Sequence, residues 1–558
     1  MINKKLLLLT LPAFMQCALA QLVPGAGSQL QQLSQPPRTE RAAPEIRIQQ
    51  ERPQDSRASN QAVQAKIVVN SLRITGATVY PEFELLAVTQ FKPGSELTLS
   101  DLNAMALKIS NLYNSNGYFV AQAYLPAQDI KEGAVTIAVI EGRLGNITLR
   151  NSTNLSDSLA RSMFDGLRTG DLITLAPIEN SLLRLSDLPG VKVNSSLVPG
   201  AVFATSDLVV NIEPGQRVTG SVDADNAGNR YTGEYRVGAT LNVNNFLGQG
   251  DVATLRVLTT GSGLTYARAA YQMQFGRAHA GVAYSQLNYA LGREFAPLIA
   301  HGTAQVGSLF AGYRLSRTRN SNTGILLNYD DKTFRDRIDS TGAATDKKAR
   351  VLTGTFYGDL RDSLGGGGAS TYAVSLSTGQ IDIKTPAALA ADAAGPRTNG
   401  HFSKLAFNAN RLQNLSGPFA LFVGINGQVA SKNLDVSEQM ALGGMNAVRA
   451  YPEGEAFADR GYVLTVEGRM LLPRWAEGMP GQMQAVAFVD TGSVRLRTNP
   501  FAAAPNARTL SAAGIGLVWS ENNNFMVRTY YARKIGTESA MSAPDKSGRF
   551  WIQGIKYF

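Results

Sequence analysis

Between residues 231 and 244 the chain alternates. Tyr231, Gly233, Tyr235, Val237, Ala239, Leu241 and Val243 occupy one parity, and Thr232, Glu234, Arg236, Gly238, Thr240, Asn242 and Asn244 the other. Successive side chains of a strand point to opposite faces, so this spacing predicts one apolar and one polar face. Tyr462, Leu464, Val466, Gly468, Met470 and Leu472 repeat the pattern against Thr465, Glu467 and Arg469. Strands of soluble proteins average about 5–6 residues, whereas tilted membrane spans need about 9–11. About sixteen such segments fit between Gln216 and Phe558, roughly 21 residues apiece with their connections. The connections alternate as well. Residues 247–250, 316–320 and 414–418 are short; residues 291–301, 331–348 and 384–400 are long. Short turns on one rim and long loops on the other predict an antiparallel outer-membrane barrel over residues 215–558. A soluble β-sandwich needs no such combination.

Residues 66–214 follow another grammar. Ile67, Val69 and Leu72 predict a strand and residues 82–90 a short helix. Leu102, Met105, Ile109, Leu112 and Tyr113 then recur at helical spacing until Gly117. Residues 119–125 and 135–140 predict strands, parted by turn residues around 126–133. The order β-α-α-β-β returns over residues 142–214: a strand at 146–149, helices near 155–167 and 176–188, a turn at Pro189-Gly190, and strands at 191–197 and 207–212. Two such units in succession form an internal repeat; two unrelated α/β domains are the alternative. Residues 21–65, rich in Gln and Pro, predict a flexible periplasmic tether that cannot fold alone. A short helix around residues 29–34, a candidate plug for the pore, is its one structured piece.

The N-terminus sets the compartment. Lys4 and Lys5 precede an apolar stretch over residues 6–15 and then Ala18-Leu19-Ala20. A basic start, a short apolar core and a small-residue end predict a signal peptide, residues 1–20, cut between Ala20 and Gln21. A buried N-terminal helix is the alternative. Cleavage removes Cys17, the one cysteine of the 558 residues, and lowers the net charge from +10 by the two lysines. Neither a disulfide nor a thiol ligand then supports the mature chain. Charged residues make up 17%, fewer than the roughly 25% of soluble domains. No run of 18 apolar residues occurs, which excludes a helical membrane protein. A hydrophobic share of 44% fits a soluble β protein or a barrel equally; the alternation decides.

At this point the sequence resembles the two-partner secretion transporters (TpsB, the hemolysin activation/secretion family). These belong to the outer-membrane assembly-factor superfamily with POTRA domains. The matching residues are Gly117-Tyr118, Ala123-Tyr124-Leu125-Pro126 and Val139-Ile140-Glu141-Gly142 in the first module. At the start of the barrel they are residues 225–233, residues 244–248 and Gly250-Asp251. Val448-Arg449-Ala450-Tyr451-Pro452, within the loop 430–460, resembles the family's V-R-G-Y motif, with Ala450 in place of glycine. A loop needing positive φ there would be strained. Phe488-Val489-Asp490-Thr491-Gly492 resembles the F-x-D-x-G motif of the barrel wall, and period 2 puts Phe488, Asp490 and Gly492 on one face. The resemblance makes that face lumenal and pairs Arg449 with Asp490, a bidentate contact suited to holding the loop. Phe558, ending an alternating strand, resembles the signal by which outer-membrane barrels are recognised for assembly; Lys556 shares its face and snorkels at the rim.

The resemblance implies an α+β plus all-β chain. Two tandem periplasmic β-α-α-β-β (POTRA) modules, residues 66–141 and 142–214, precede a 16-stranded antiparallel transmembrane β-barrel, residues 215–558. It implies a pore that captures an unfolded exoprotein with an N-terminal secretion domain and passes it to the cell surface. That partner is of hemolysin, hemagglutinin or adhesin type. Outer-membrane lipid and, during biogenesis, the barrel-assembly machinery are the other expected partners. The rival is a factor that inserts other barrels into the membrane; a passive porin is a third class. Other chemistry is thin. His279, His301 and His401 are scattered, so neither metal nor catalytic centre is expected, and no cofactor. Residues 365–368, four glycines, lack the following Lys-Ser/Thr of a phosphate loop and predict a periplasmic turn. The arginines are spread along alternating strands, which argues against nucleic acid.

Overall fold

The computed structural model describes residues 23–33, 48–50 and 66–558; the signal peptide and its Ala20–Gln21 junction lie outside them. In the first module, Ser71–Thr75 pairs in parallel with Ala134–Ile140, and Gln122–Tyr124 joins antiparallel. Helix Leu99–Ser115 starts at a capping box, Thr98 and Asp101 satisfying each other's backbone N–H. Its buried face, Leu102, Ala106, Ile109 and Tyr113, lies against Leu72, Ile74, Val135 and Ile137. The predicted strand through Ile67, Val69 and Leu72 divides in two, and its first part, Ile67–Val69, pairs with Ser95–Leu97, whose three residues are too few to show a period. Glu141 closes the module. Its buried carboxylate accepts from the backbone N–H of Val79 (2.8 Å), from Thr78, and from the Tyr113 hydroxyl (2.9 Å).

The second module repeats the topology: Arg143–Asn151 pairs in parallel with Thr205–Pro214, which pairs antiparallel with Val191–Pro199. Helices Asp157–Ser162 and Leu175–Ser186 cover the sheet. The tether is not wholly loose. Ile48–Gln50 pairs in parallel with residues 195–197, adding an edge strand to this sheet.

The module rests on two periplasmic turns of the barrel. Arg317 grips the Asp187 carboxylate with two bonds (2.7 and 3.0 Å), and Arg314 joins it. Asn154 and Asn245 exchange bonds of 2.9 and 3.0 Å. The matched residues 244–251 build that second turn, with Asp251 accepting from the backbone N–H groups of Leu247 (3.0 Å) and Gln249 (3.1 Å).

Sixteen antiparallel strands close the barrel, from Val218–Asp225 to Gly548–Tyr557. The last meets the first over residues 221–225 against 553–557. Alternation holds along each strand: Val237 and Leu241 face lipid, while Arg236 and Thr240 face the lumen. Two expectations need correction. The strand read from Tyr231 begins at Arg236, because Gly233 has φ +112° and turns the chain inward, leaving Tyr231 buried. Residues 331–348 are not a loop. Ser321–Ile338 and Ala343–Asp362 run through them as strands and meet at a tight turn at 339–342. Eighteen residues at about 3.3 Å each exceed the roughly 30 Å hydrocarbon core, so these strands project beyond the membrane. There the outward face turns polar, with Asp331, Thr333, Arg335 and Arg337, which hides the strand from a reading that expects an apolar outward face. Residues 363–367 form the periplasmic turn expected of the glycine run. Phe558 pairs its backbone with Gly220 (2.9 and 3.1 Å), and its ring lies where a side chain at 220 would stand.

Candidate lumenal lock

The loop after the eleventh barrel strand, Phe419–Ala430, returns to the twelfth, Arg460–Leu471, only after entering the lumen. Charged side chains pin its descending arm to the wall. Glu438 binds Lys332 (2.7 Å) and Lys404 (2.9 Å), and Asp435 binds Lys347 (2.7 Å). At the tip, the Tyr451 N–H donates to the Val448 carbonyl (3.1 Å), making a turn. Val448, Ala450 and Tyr451 are wholly buried, Pro452 is buried beside them, and the Tyr451 hydroxyl donates to the Glu538 carbonyl (3.0 Å). Ala450 is not among the residues of positive φ, so alanine fits this turn without the strain that a left-handed conformation would bring.

Arg449 reaches the thirteenth strand, Gln482–Arg495. Its Nε and Nη2 donate to the two Asp490 oxygens at 2.8 and 2.7 Å, and its backbone N–H donates to the same carboxylate (3.2 Å). Phe488, Asp490 and Gly492 face the lumen. The guanidinium carbon of Arg449 lies 3.4 Å from the Phe488 ring centroid, and Leu442 packs where any side chain at 492 would stand. Three further groups complete the site. Glu467 accepts from Arg449 Nη1 (2.8 Å) and from Arg469 (2.7 Å); Thr465 donates to Asp490 (3.0 Å); Trp551 donates to the Arg449 carbonyl (2.7 Å). Two arginines thus face two carboxylates in a water-poor place, the condition under which buried charge is tolerated. Glu467 and Arg469 already stood on the polar face of their alternating strand, but nothing in that pattern tied them to Arg449.

The tether supplies the second lumenal element, helix Ala26–Gln31, earlier along the chain than the expected 29–34. The Ala26 N–H donates to Asp336 (2.7 Å). Asn229 and Thr232, from the matched residues 225–233, donate to Gln32 (2.8 Å) and Gln29 (3.0 Å). Val23, Leu30 and Leu33 pack on an apolar lumenal cluster that includes Tyr231, Tyr289 and Phe334. Six residues cannot hold a helix alone; the barrel wall holds this one.

Residues 204–518 match the family model for haemolysin secretion/activation protein ShlB/FhaC/HecB, and residues 67–142 match that for the ShlB-type POTRA domain. Heme/hemopexin transporter protein HuxB of Haemophilus influenzae (strain 86-028NP) is 28% identical over 485 residues, 85% of this chain and 84% of that protein. Outer membrane transporter CdiB of Dickeya dadantii (strain 3937) is 25% identical over 435 residues, 76% and 75%. Among solved structures, CdiB from Escherichia coli superposes with a TM-score of 0.65 at 20% identity, covering 90% of this chain and 92% of that one. BamA from Haemophilus ducreyi lacking POTRA domains 1–3 gives 0.55 at 14% identity, covering 88% and 100%; these two likenesses speak to the fold. The family model spans more than half of the residues, and this chain belongs to the haemolysin secretion/activation family ShlB/FhaC/HecB, the outer-membrane transporters of two-partner secretion.

Proposed function

We propose that this transporter captures one large exoprotein, unfolded, on its periplasmic modules and threads it through the barrel to the cell surface. The partner is of hemolysin, hemagglutinin or adhesin type and carries an N-terminal secretion domain. The observation that carries this reading is the lumen. It is filled by two pieces of chain, residues 23–33 and 431–459, each held to the wall by hydrogen bonds and ion pairs as well as by an apolar cluster.

Capture uses the sheet edge of the second module, where main-chain groups pair with an extended segment irrespective of its side chains. The parallel pairing of the chain's own Ile48–Gln50 with residues 195–197 at this edge supports the reading. The Arg449–Asp490 contact holds the inserted loop in a fixed position, and its rearrangement accompanies passage. The outward apolar faces meet outer-membrane lipid, and the barrel-assembly machinery inserts the chain. Movement needs no catalysis, because folding of the partner outside prevents its return. Deleting residues 66–214 tests the capture role: partner export is abolished while a heat-modifiable barrel still assembles. Export unchanged by the deletion would contradict it.

A further inference from the structure

The two walls of the lumen differ. On the side of strands twelve to sixteen and one to three, the inward face carries a group of covered charges: Asp490 is 0% exposed, Asp223 3%, Glu467 4% and Arg236 5%. On the side of strands eight to eleven the middle of the inward face carries small neutral groups, many of them polar. Lys347, Lys404 and Phe402 stand toward its outer end, and Asp359 and Phe422 toward its periplasmic end. Thr353 and Thr355 lie on the face opposite the lipid-facing Leu352 and Phe356, and Ser375 and Ser377 opposite Val374 and Leu376. The register sets Thr353 beside Ser377 and Thr355 beside Ser375, each pair sharing a 2.9 Å hydroxyl bond. It then sets Asn408 beside Asn426. Asn408 is exposed although it points into the lumen. The cations at its outer end, Lys347 and Lys404 on the wall and Lys332 on the neighbouring strand seven, are neutralised by Glu438 and Asp435.

We propose that this hydroxyl and amide wall, strands eight to eleven, is the surface along which the secreted chain travels in extended form. The proposal rests on the pore reading and adds to it a side and a chemistry. A translocating chain presents unpaired N–H and C=O groups, each seeking a partner. Hydroxyls and carboxamides both donate and accept, and so satisfy such groups without selecting a sequence. A wall neutral along its middle also holds neither acidic nor basic segments there, whereas the tip of the loop 431–459 closes the opposite wall. The wall leads upward to helix Ala26–Gln31, which packs on strands five to seven and blocks the exit until displaced.

Cysteine placement tests this, because Cys17 is the one cysteine in the sequence. Ser375→Cys and Asn408→Cys report the neutral wall; Asn242→Cys and Gln484→Cys report inward positions on the opposite side. Each full-length variant is oxidised in cells while exporting a partner arrested by a fused, tightly folded domain and carrying cysteines along its length. Disulfides at 375 and 408, with background yields at 242 and 484, are expected. Equal yields on both walls overturn the proposal and leave the pore reading standing. No crosslink at any lumenal position while the partner is exported overturns both. Independently, Ser375→Lys with Asn408→Lys slows a basic partner segment by about fivefold relative to an acidic one, the effect of one like-charge contact in a wet lumen. Equal slowing of the two segments overturns the proposal.

Discussion

The guanidinium carbon of Arg449 lies over the ring of Phe488, 3.4 Å from its centroid, while the group grips the carboxylate of Asp490 two residues further along the same strand. One inward face of one strand thus supplies both the anion and the aromatic surface for an arginine carried on a distant loop. Both contacts depend on a planar cation, and lysine offers neither the fork nor the flat face.

Arg449→Ala and Asp490→Ala are each expected to impair export, and the double variant to add little to either. Removing one partner of a buried pair leaves the other uncompensated, at a cost of about 3–5 kcal/mol. Arg449→Lys does not restore export. A double-mutant cycle on export rate and on protease protection of the loop 431–459 checks this; additive defects would show two independent residues.

Gly27→Val displaces the lumenal helix. A Cβ at Gly27 would stand 3.0 Å from the Cβ of Ser437 and 3.2 Å from both its backbone nitrogen and Val436, and the two further methyls of valine would crowd the same contact. Single-channel recording in planar bilayers should show a larger or longer-lived open conductance than the parent chain. An unaltered trace would mean that the helix does not close the pore.

Acid weakens the first module through Glu141. Burial alone would raise its pKa, but the bonds from Thr78, Val79 and Tyr113 outweigh that and hold it below the usual carboxylate value. A depressed folded value contributes stability above the ordinary range, near 4.3, which fades as pH falls through the lower folded value. The protection factors against hydrogen exchange of the strand Ala134–Ile140 in the full chain, taken relative to the intrinsic rate at each pH, should therefore fall at acid pH. Glu141→Gln should flatten that dependence and, with fewer acceptor sites for the same donors, cost about 1–3 kcal/mol at neutral pH.

Ala450→Gly, which restores the family's usual residue, is expected to leave export within about twofold. The turn does not use positive φ here, and glycine would add only about 0.5–1 kcal/mol of backbone freedom to be lost. A marked gain of export would show that the loop visits a conformation closed to alanine.

The barrel was legible because lipid demands period-2 alternation on every spanning strand, as 236–244 and 462–472 display. Where lipid ends, the signal ends: residues 331–348 stay in strands whose outward face turns polar, and read as a loop. The site was legible only in part. Arg449 and Asp490 stood out through motif resemblance, and period 2 put Phe488 beside Asp490. Glu467 and Thr465 reach the Arg449–Asp490 pair through the register of strand twelve against strand thirteen, and Trp551 through the curvature of the barrel that brings in strand sixteen. A single strand's pattern displays neither. The lumenal helix gave a weak signal because its burial comes from the barrel wall rather than from its own sequence.

The most direct measurement is export of the partner by this transporter in a host lacking other secretion pores of its kind. The exoprotein, with its N-terminal secretion domain intact, is co-expressed with the parent chain or with the Arg449→Ala, Asp490→Ala variant, and surface and medium are assayed by protease accessibility. The account predicts exoprotein outside only with the parent chain, and periplasmic degradation otherwise, with the levels of other outer-membrane barrels unchanged. Export without the transporter, or a fall in those other barrels when it is removed, would contradict it.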